Sequence, residues 1–406
     1  MRTHMFNHNT IPRFALPYEC GDLLAAAAAL LRNQISSPDP FSTLLGKGDK
    51  FWTSSGRQAL WLALKALDLK PRSGVAVPLF NDLSVSTAVA EAGCRPIFID
   101  ITERTLTMDP GSLATARGQF SAVVAVHLFG QVADIERIRE AAGPVPLVED
   151  TVHAPLSRLN NKDVGEFGFA CFHSFASTKY WPAGGGGLLV VRDSEIAQRV
   201  AEEVRLLRRQ SPASEWNNLL LQLAKAITFS RPLYRILGLP LRPWAEKRAF
   251  LEPVLSRSQI QRHQAAVALR QALRFRERVA QQRENSLYLL SLLREAEGVV
   301  LPREWSGATY NYHLFPVLMA DEEERSNVAA AMLTHGVDSS RIYSGVIRHS
   351  RSLGYQGGCP VSESVATRLL TLPNYASLSR ADIERVARAF LQALRQCRPH
   401  SRGRSL

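Results

Sequence analysis

Lys179 and Asp150 are the two residues whose types and spacing point most directly to chemistry. Lys179 follows Asp150 by 29 positions and stands just before the glycine run 184–187. A lysine amine can hold an aldehyde as a Schiff base, and a carboxylate at the far side of a pyridine ring can keep the ring nitrogen protonated. Together they predict pyridoxal phosphate (PLP) chemistry. Each alone has an ordinary alternative, since lysines near glycines are mostly solvated and an Asp after an apolar run mostly forms a turn or a cap.

A second segment, 54–60, could bind the phosphate of such a cofactor. Ser55 and Gly56 begin a predicted helix there, and a helix N-terminus offers free backbone N–H groups and the positive end of the dipole. Arg57 can add a bidentate contact, and Ser174, five residues before Lys179, can supply a further hydroxyl. The alternative is a simple N-cap. The presence of Lys179 favours the phosphate site.

The elements that must position these residues alternate between strand-like and helix-like patterns over residues 57–195. Short apolar runs bounded by Gly, Pro or charged residues predict strands at 75–80, 96–101, 122–128, 146–150, 170–175 and 188–191. Apolar residues at helical spacing predict helices at 58–67 and 85–92. This rhythm is typical of an α/β fold with a mainly parallel sheet. Ligands bind beyond the carboxyl ends of such strands, where Asp150 stands.

Length and composition favour a globular protein of two lobes. The chain has 406 residues and 46% hydrophobic content. The apolar stretch 23–31 is short, Ala-rich and preceded by Glu19 and Asp22, which fits neither a signal peptide nor a spanning helix. Five cysteines without CxxC or zinc-like spacing favour reduced thiols. We therefore expect a cytoplasmic protein.

The net charge of +12 raises the question of an anionic partner. The arginines are dispersed and lack the interleaved aromatic residues or finger spacings of a nucleic-acid module, so no nucleic-acid binding is expected. The basic end 397–406 is predicted to be a solvated tail. No histidine pair has metal-ligand spacing beside cysteines or carboxylates, and no metal is expected.

Several ordered motifs resemble the DegT/DnrJ/StrS nucleotide-sugar aminotransferases, over roughly residues 45–395. In the first lobe they are Ser55-Gly56-x-x-Ala59-Leu60, Ala92-Gly93, Pro96-Ile97-Phe98-Ile99-Asp100, Val126-His127-Leu128-Phe129-Gly130-Gln131, Glu149-Asp150-x-x-His153, Gly165-x-Phe167-Gly168 and Ser174-Phe175-x-x-x-Lys179. Later landmarks are Gln264-Ala265-Ala266, Tyr312-His313-Leu314-Phe315 and Leu372-Pro373-Asn374-Tyr375. Several motifs in the right order are far more specific than any one of them.

The resemblance implies a fold type I PLP-dependent transferase, with a mainly parallel seven-stranded sheet in a large lobe and a smaller α+β C-terminal lobe. It implies a homodimer whose active sites lie at the subunit interface. The corresponding segments are an N-terminal segment 1–44, a large PLP-binding lobe 45–215, a connecting insertion 216–254, a C-terminal lobe 255–396 and the tail 397–406.

The resemblance also implies residue roles. Lys179 would bind the aldehyde of PLP, Asp150 would face the ring nitrogen and His153, where a glutamine is usual, would contact the ring hydroxyl. Ser174 would join Ser55, Gly56 and Arg57 at the phosphate. For substrate contacts the resemblance suggests His313, Arg341 and Tyr343.

The sequence also departs from the family pattern. Arg57 stands where a threonine is usual, and Gly185 and Gly186 replace an acidic Gly-Glu-Gly turn. The segment 78–83 lacks the usual aromatic residue, which leaves Phe80 as the candidate for stacking on the ring. Arg257 falls near the position at which a partner subunit usually offers an asparagine to the phosphate. These departures bear on the substrate more than on the cofactor.

The apolar and basic segment 219–244 has two interpretations. It could touch a membrane surface as an amphipathic element, or it could pack in the dimer interface or against the smaller lobe. Packing is favoured, because apolar helix faces are far more often buried than anchored in a membrane.

The sequence therefore predicts a PLP-dependent aminotransferase that moves an amino group, commonly from glutamate, to a keto group of a nucleotide-linked sugar in polysaccharide or secondary-metabolite biosynthesis. One alternative is a PLP-dependent sugar dehydratase of the same fold, whose members typically carry a histidine in place of Lys179. The other is a protein that keeps the fold as a sensor or scaffold without turnover. Retention of both Lys179 and Asp150 argues against the second alternative.

Overall fold

The computed structural model describes residues 10–242 and 255–398. The first part of the N-terminal segment, the end of the predicted insertion and the basic tail after position 398 lie outside the described residues. The twelve strands of the described chain are β1 Asp49–Thr53, β2 Gly74–Pro78, β3 Arg95–Ile99, β4 Ala122–Val126, β5 Leu147–Asp150, β6 Arg158–Leu159, β7 Lys162–Asp163, β8 Ala170–Ser174, β9 Gly187–Val191, β10 Ala308–Thr309, β11 Phe315–Leu318 and β12 Leu369–Leu372.

Seven of these strands form the central sheet, in the order β1-β9-β8-β5-β4-β2-β3. Only β9 runs against its neighbours, β1 and β8; the remaining pairs are parallel. Strands β2, β4 and β9 are buried along their whole length, as expected when helices cover both faces of a sheet. The predicted α/β class with a mainly parallel seven-stranded sheet is confirmed.

The helices of the first lobe connect the strands. In chain order they are α1 Cys20–Arg32, α2 Ser42–Leu45, α3 Gly56–Ala66, α4 Leu83–Glu91, α5 Pro110–Thr115, α6 Ile135–Ala142, α7 Ser194–Arg205 and α8 Pro212–Thr228. Short 3₁₀ segments occupy Asp39–Phe41 and Leu128–Gly130, and a π-helical turn occupies Tyr234–Gly238. Further helices with assigned bounds are α9 Arg262–Ala272, α10 Phe275–Leu292, α11 Glu322–Thr334, α12 Val346–Ser352, α13 Pro360–Arg368 and α14 Arg380–Cys397.

The predicted strands and helices of residues 57–195 lie within a few positions of the observed ones. The sequence did not predict β1, because this strand begins with two charged residues and lies at the edge of the sheet. After residue 300, β11 and β12 form a two-stranded antiparallel sheet. Helices α11 and α14 pack around a separate apolar cluster that includes Val317, Leu370 and Phe390.

The central strand β5 carries two consecutive carboxylates with different surroundings. Glu149 is fully buried and accepts backbone hydrogen bonds from Gly165 at 2.7 Å, Phe167 at 2.7 Å and Gly168 at 2.6 Å. Its Oε2 also lies 3.2 Å from Nε2 of buried His127. Burial opposes ionisation, but His127 and the backbone N–H groups outweigh it and lower the pKa of Glu149. This carboxylate organises the turn between β7 and β8.

Replacing Glu149 with Gln is expected to lower the free energy of unfolding by about 3 kcal/mol, because the amide has one acceptor oxygen where the carboxylate uses two. The amide NH₂ would also face N–H donors in a buried site. Urea denaturation at neutral pH measures the change. The matched control is Glu195→Gln, since that side chain is 85% exposed. Equal stability of both variants would contradict a stabilising role for Glu149.

Helix α8 is the described part of the segment with two interpretations. Leu219 is buried, but Leu220, Leu221 and Ile227 are more than half exposed on the single chain. After the helix, Tyr234 is fully buried and donates to Asp338 Oδ2 at 2.5 Å. The buried Tyr234 and its hydrogen bond to Asp338 therefore hold part of this segment against the second half of the chain. Within the described residues, none of the helices has the length and apolar character that crossing a membrane requires.

Candidate active site

A cavity of about 270 Å³ opens beyond the carboxyl ends of β4, β5 and β8. This is the edge at which parallel sheets bind ligands. The residues that line it are Ser55, Gly56, Arg57, Asp82, Ser84, Val126, Leu128, Asp150, Val152, His153, Phe172, Ser174, Ala176, Thr178, Lys179 and Tyr343. The sequence analysis had assigned eight of these to the site: Ser55, Gly56, Arg57, Asp150, His153, Ser174, Lys179 and Tyr343.

The loop between β8 and β9 carries Lys179 and is held by its glycines. Phe175 donates its N–H to Gly186 O at 2.9 Å, and its own carbonyl accepts from Ala183 at 2.8 Å and Gly185 at 3.0 Å. Gly185 and Gly186 have φ of +153° and +91°. A Cβ on Gly185 would lie 2.4 Å from the Gln264 amide. The four-glycine run is therefore required by backbone conformation and close packing.

The Lys179 amine lies between two polar partners. Its Nζ is 3.0 Å from Asp82 Oδ2 and 3.2 Å from His153 Nε2. The lysine side chain is 14% exposed, on the cavity side. The Asp82 carboxylate is fixed in turn as the N-cap of α4, where Oδ1 accepts from Ser84 N at 3.0 Å and from Ser84 Oγ at 2.7 Å.

The hydrogen bonds of His153 specify its tautomer. Backbone N–H of Phe129 donates to Nδ1 at 3.3 Å, so Nδ1 carries no proton. Burial, with the positive charge of Lys179, lowers the pKa of His153 well below its usual value, and the ring is neutral. The single ring proton is therefore on Nε2, which faces Lys179 and the cavity.

Asp150, the last residue of β5, lines the same cavity. It is 6% exposed and accepts a hydrogen bond from Val152 N at 3.0 Å. Burial raises its pKa to about 7, against a smaller opposing effect of that hydrogen bond and of Lys179. An ionised Asp150 therefore needs a nearby positive charge, which a protonated ring nitrogen would provide.

The start of helix α3 also lines the cavity, through Ser55, Gly56 and Arg57. Ser55 caps the helix by accepting from Gln58 N at 3.1 Å, and the preceding N–H groups of a first turn have no partner inside a helix. A Cβ on Gly56 would come within 2.9 Å of Ser174 Cβ, so only glycine lets the helix start against the end of β8. Buried Arg57 Nε has no hydrogen-bond partner among the described residues. These donors suit a phosphate group.

The position of the predicted ring-stacking residue differs from the expectation. Phe80 is fully buried and does not line the cavity, because its ring packs against Phe129 and Tyr343 at centroid distances of 6.3 and 5.8 Å. The side chain from this segment that reaches the cavity is Asp82. The sequence did not predict Asp82 as a site residue, although the lack of the usual aromatic residue in 78–83 indicates an unusual segment.

The remaining predicted residues lie at different distances from the cavity. Tyr343 lines it, and its buried hydroxyl has no partner among the described residues. His313 packs against His153 at 4.6 Å between centroids and lines a smaller neighbouring cavity of about 70 Å³ that Lys179 also borders. Arg341 is exposed and lines neither cavity. Arg257 is also exposed and lies 5.1 Å from the Trp61 ring, outside both cavities of its own chain.

The residues present fit PLP. Its aldehyde needs an amine, its ring nitrogen a carboxylate and its phosphate several N–H and O–H donors, and the cavity offers each of these at a separate point. Lys179 and Asp150 supply the first two, while the start of α3 with Arg57 and Ser174 supplies the third. The His153 Nε2–H faces the same space. Among the described residues, no cluster of three His, Cys, Asp or Glu side chains could hold a metal ion.

Comparison with known proteins gives a family match over most of the chain. The model of the DegT/DnrJ/EryC1/StrS aminotransferase family matches residues 39–391. The chain is 28% identical to the pleiotropic regulatory protein of Geobacillus stearothermophilus, covering 83% of each sequence. It is 27% identical to the UDP-N-acetyl-3-dehydro-alpha-D-glucosamine 3-aminotransferase of Acidithiobacillus ferrooxidans, covering 92% of each.

Solved structures share the fold. The crystal structure of the aminotransferase TlmJ from Streptoalloteichus hindustanus superposes with a TM-score of 0.78 at 24% identity. The match covers 95% of this chain and 99% of that one. At this level of identity the likeness concerns the fold.

Proposed function

The chain belongs to the DegT/DnrJ/EryC1/StrS aminotransferase family, and from that premise we propose that it is a PLP-dependent enzyme acting on a nucleotide-linked keto sugar. The amino group comes from glutamate and replaces the keto oxygen of the sugar, which leaves as water. The observation that carries the proposal is the position of Lys179. It lines the same cavity as the Asp150 carboxylate and the helix start at Gly56.

When bound, PLP supplies an electron sink for the substrate carbon that carries the amino group. The residues of the chain orient that sink. Asp150 would keep a proton on the ring nitrogen, for which its carboxylate must be ionised. Gly56, Arg57 and Ser174 would hold the phosphate.

Lys179 has two tasks that need different protonation states. As a nucleophile toward the cofactor aldehyde its amine must be neutral. As the group that moves a proton between substrate and cofactor it must gain and lose a proton in each half of the reaction. Lys179 lines both the larger and the smaller cavity.

Three observations support the substrate class and the assembly. The relative from Acidithiobacillus ferrooxidans is named as acting on a UDP-linked 3-dehydro sugar. Arg278 lines the smaller cavity, and its buried Nε, which has no hydrogen-bond partner among the described residues, could bind an anionic substrate or donor carboxylate. The exposed Leu24, Leu31 and Leu273 lie on or beside the adjoining helices α1 and α9, which supports a homodimer. In such a dimer, Arg257 is proposed to reach the phosphate of the partner's site.

Absorption spectroscopy tests the proposed function. PLP added to the purified chain should gain a visible band, which glutamate should bleach and a UDP- or dTDP-linked keto sugar should restore. Release of 2-oxoglutarate and of the amino sugar, measured by mass spectrometry, accounts for the transferred group. A visible band that no amino donor bleaches would contradict the aminotransferase proposal, and the absence of a band would contradict PLP binding.

A further inference from the structure

Asp82 faces the reacting nitrogen of the site. It is half-buried at the cavity wall, and its Oδ2 lies 3.0 Å from Lys179 Nζ. Within the described structure no other carboxylate forms an ion pair with Lys179. Within segment 78–83, Asp82 is the residue that lines this cavity.

The carboxylate is held toward the lysine by its own helix. One oxygen accepts both hydrogen bonds from Ser84 as the N-cap of α4, which leaves the second oxygen for the amine. Burial opposes ionisation of Asp82, but Lys179 and the bonds from Ser84 outweigh it and keep the pKa of the carboxyl well below its usual range. Asp82 is therefore an anion throughout the physiological pH range, and it favours the ammonium form of Lys179.

His153 favours the opposite form. Its Nδ1 accepts from Phe129 N–H, so the proton on Nε2 points at Lys179 Nζ from 3.2 Å. An N–H donor is well placed only against an amine that has a lone pair, and an ammonium has none. The Asp82 carboxylate therefore stabilises the protonated form of Lys179, whereas the imidazole N–H of His153 stabilises the neutral form.

We propose that Asp82 is a further catalytic residue that holds the proton of Lys179 whenever the amine is free, in competition with His153. The proposal rests on the function proposed above. The proton comes from water in the cavity and returns to it when the amine becomes nucleophilic. The other titratable or charged groups around the pair are Arg57, Asp150, His313 and Tyr343.

Competitive labelling of Lys179 with acetic anhydride tests this directly in the cofactor-free full chain. Only the neutral amine reacts, and mass spectrometry of the Lys179 peptide across pH gives a profile. Its plateau at high pH reports access, whereas its midpoint reports protonation. In Asp82→Asn the midpoint should move to lower pH by about one unit, and labelling at neutral pH should rise about tenfold at an unchanged plateau.

Asp109→Asn is the matched control. Asp109 caps α5 with the same pair of bonds from a serine, Ser112 N and Ser112 Oγ both at 2.8 Å, but among the residues of known placement no lysine pairs with it. Its profile should match that of the wild type. A profile of Asp82→Asn that also coincides with the wild type would overturn the proposal.

His153→Gln supplies a test with the opposite sign. The glutamine can turn its carbonyl oxygen toward an ammonium, so the midpoint should move to higher pH and neutral labelling should slow. A shift to lower pH would contradict the competition between His153 and Asp82. Failure of the wild-type chain to gain the visible PLP band would defeat the proposed function, while the labelling profiles would still decide whether Asp82 controls the lysine proton.

Discussion

Replacing Lys179 with Ala is expected to reduce amino-group transfer by roughly 10³-fold or more, because the change removes both the nucleophile and the proton carrier. The visible band that PLP gains in the protein should disappear as well. Phosphate binding should persist, since Gly56, Arg57 and Ser174 are unchanged. Steady-state transfer from glutamate, together with equilibrium dialysis of PLP, separates the two effects.

Lys162→Ala is a suitable control for that experiment. Its Nζ lies 4.4 Å from the centroid of the Phe167 ring, and it does not line either cavity. Turnover should stay within about twofold of the wild type, because surface substitutions away from a site rarely cost more than ~0.5 kcal/mol. Turnover by Lys179→Ala at a rate close to that of this control would rule out Lys179 as the reactive amine.

Asp150→Asn is expected to lower turnover by roughly 10²-fold while PLP remains bound, since a neutral amide no longer stabilises the charge that develops on the ring. The Asn oxygen can still accept from Val152 N–H, which preserves the local backbone. The measurement is the rate of the glutamate half-reaction at saturating PLP. A rate near that of the wild type would remove Asp150 from the catalytic assignment.

The same variant should stabilise the cofactor-free chain at alkaline pH. Burial raises the pKa of Asp150 from 3.8 to about 7, so the folded chain binds more protons than the unfolded chain between these values. Stability therefore falls as pH rises through this window, by up to roughly 4 kcal/mol at pH 8. Asp150→Asn should remove that loss of stability, so the variant should be stabilised strongly at pH 8 and only slightly near pH 4. A gain in thermal stability that does not depend on pH would contradict this account.

Much of the sheet was predictable because each buried strand is a short apolar run between charged or turn-forming residues. The placement of Asp150 at a strand end and of Gly56 at a helix start followed from the same local patterns. These features depend on nearest neighbours along the chain. The edge strand β1 was missed because it begins with Asp49 and Lys50, and its strand character depends on pairing with β9, more than 130 positions away.

The contacts around Lys179 could not be predicted for a similar reason. Asp82 is of a residue type that favours the N-cap of a helix, and it caps α4. Its contact with Lys179, 97 residues later, depends on how α4 lies against the loop after β8. Phe80 was the aromatic residue available in its segment, but the chain direction after β2 turns it into the core. Residue types indicated which local role each residue plays, whereas the direction in which its side chain points could be known only from the fold.

The neighbouring carboxylates of β5 restrict how this protein can change in evolution. Glu149 and Asp150 point to opposite sides of the strand, where one ties the backbone and the other faces the cavity. Because side chains alternate along a strand, inserting or deleting one residue within β5 would exchange the two environments at a single step. Length variation among descendants of this sequence should therefore be absent from β5 and accumulate in peripheral connections.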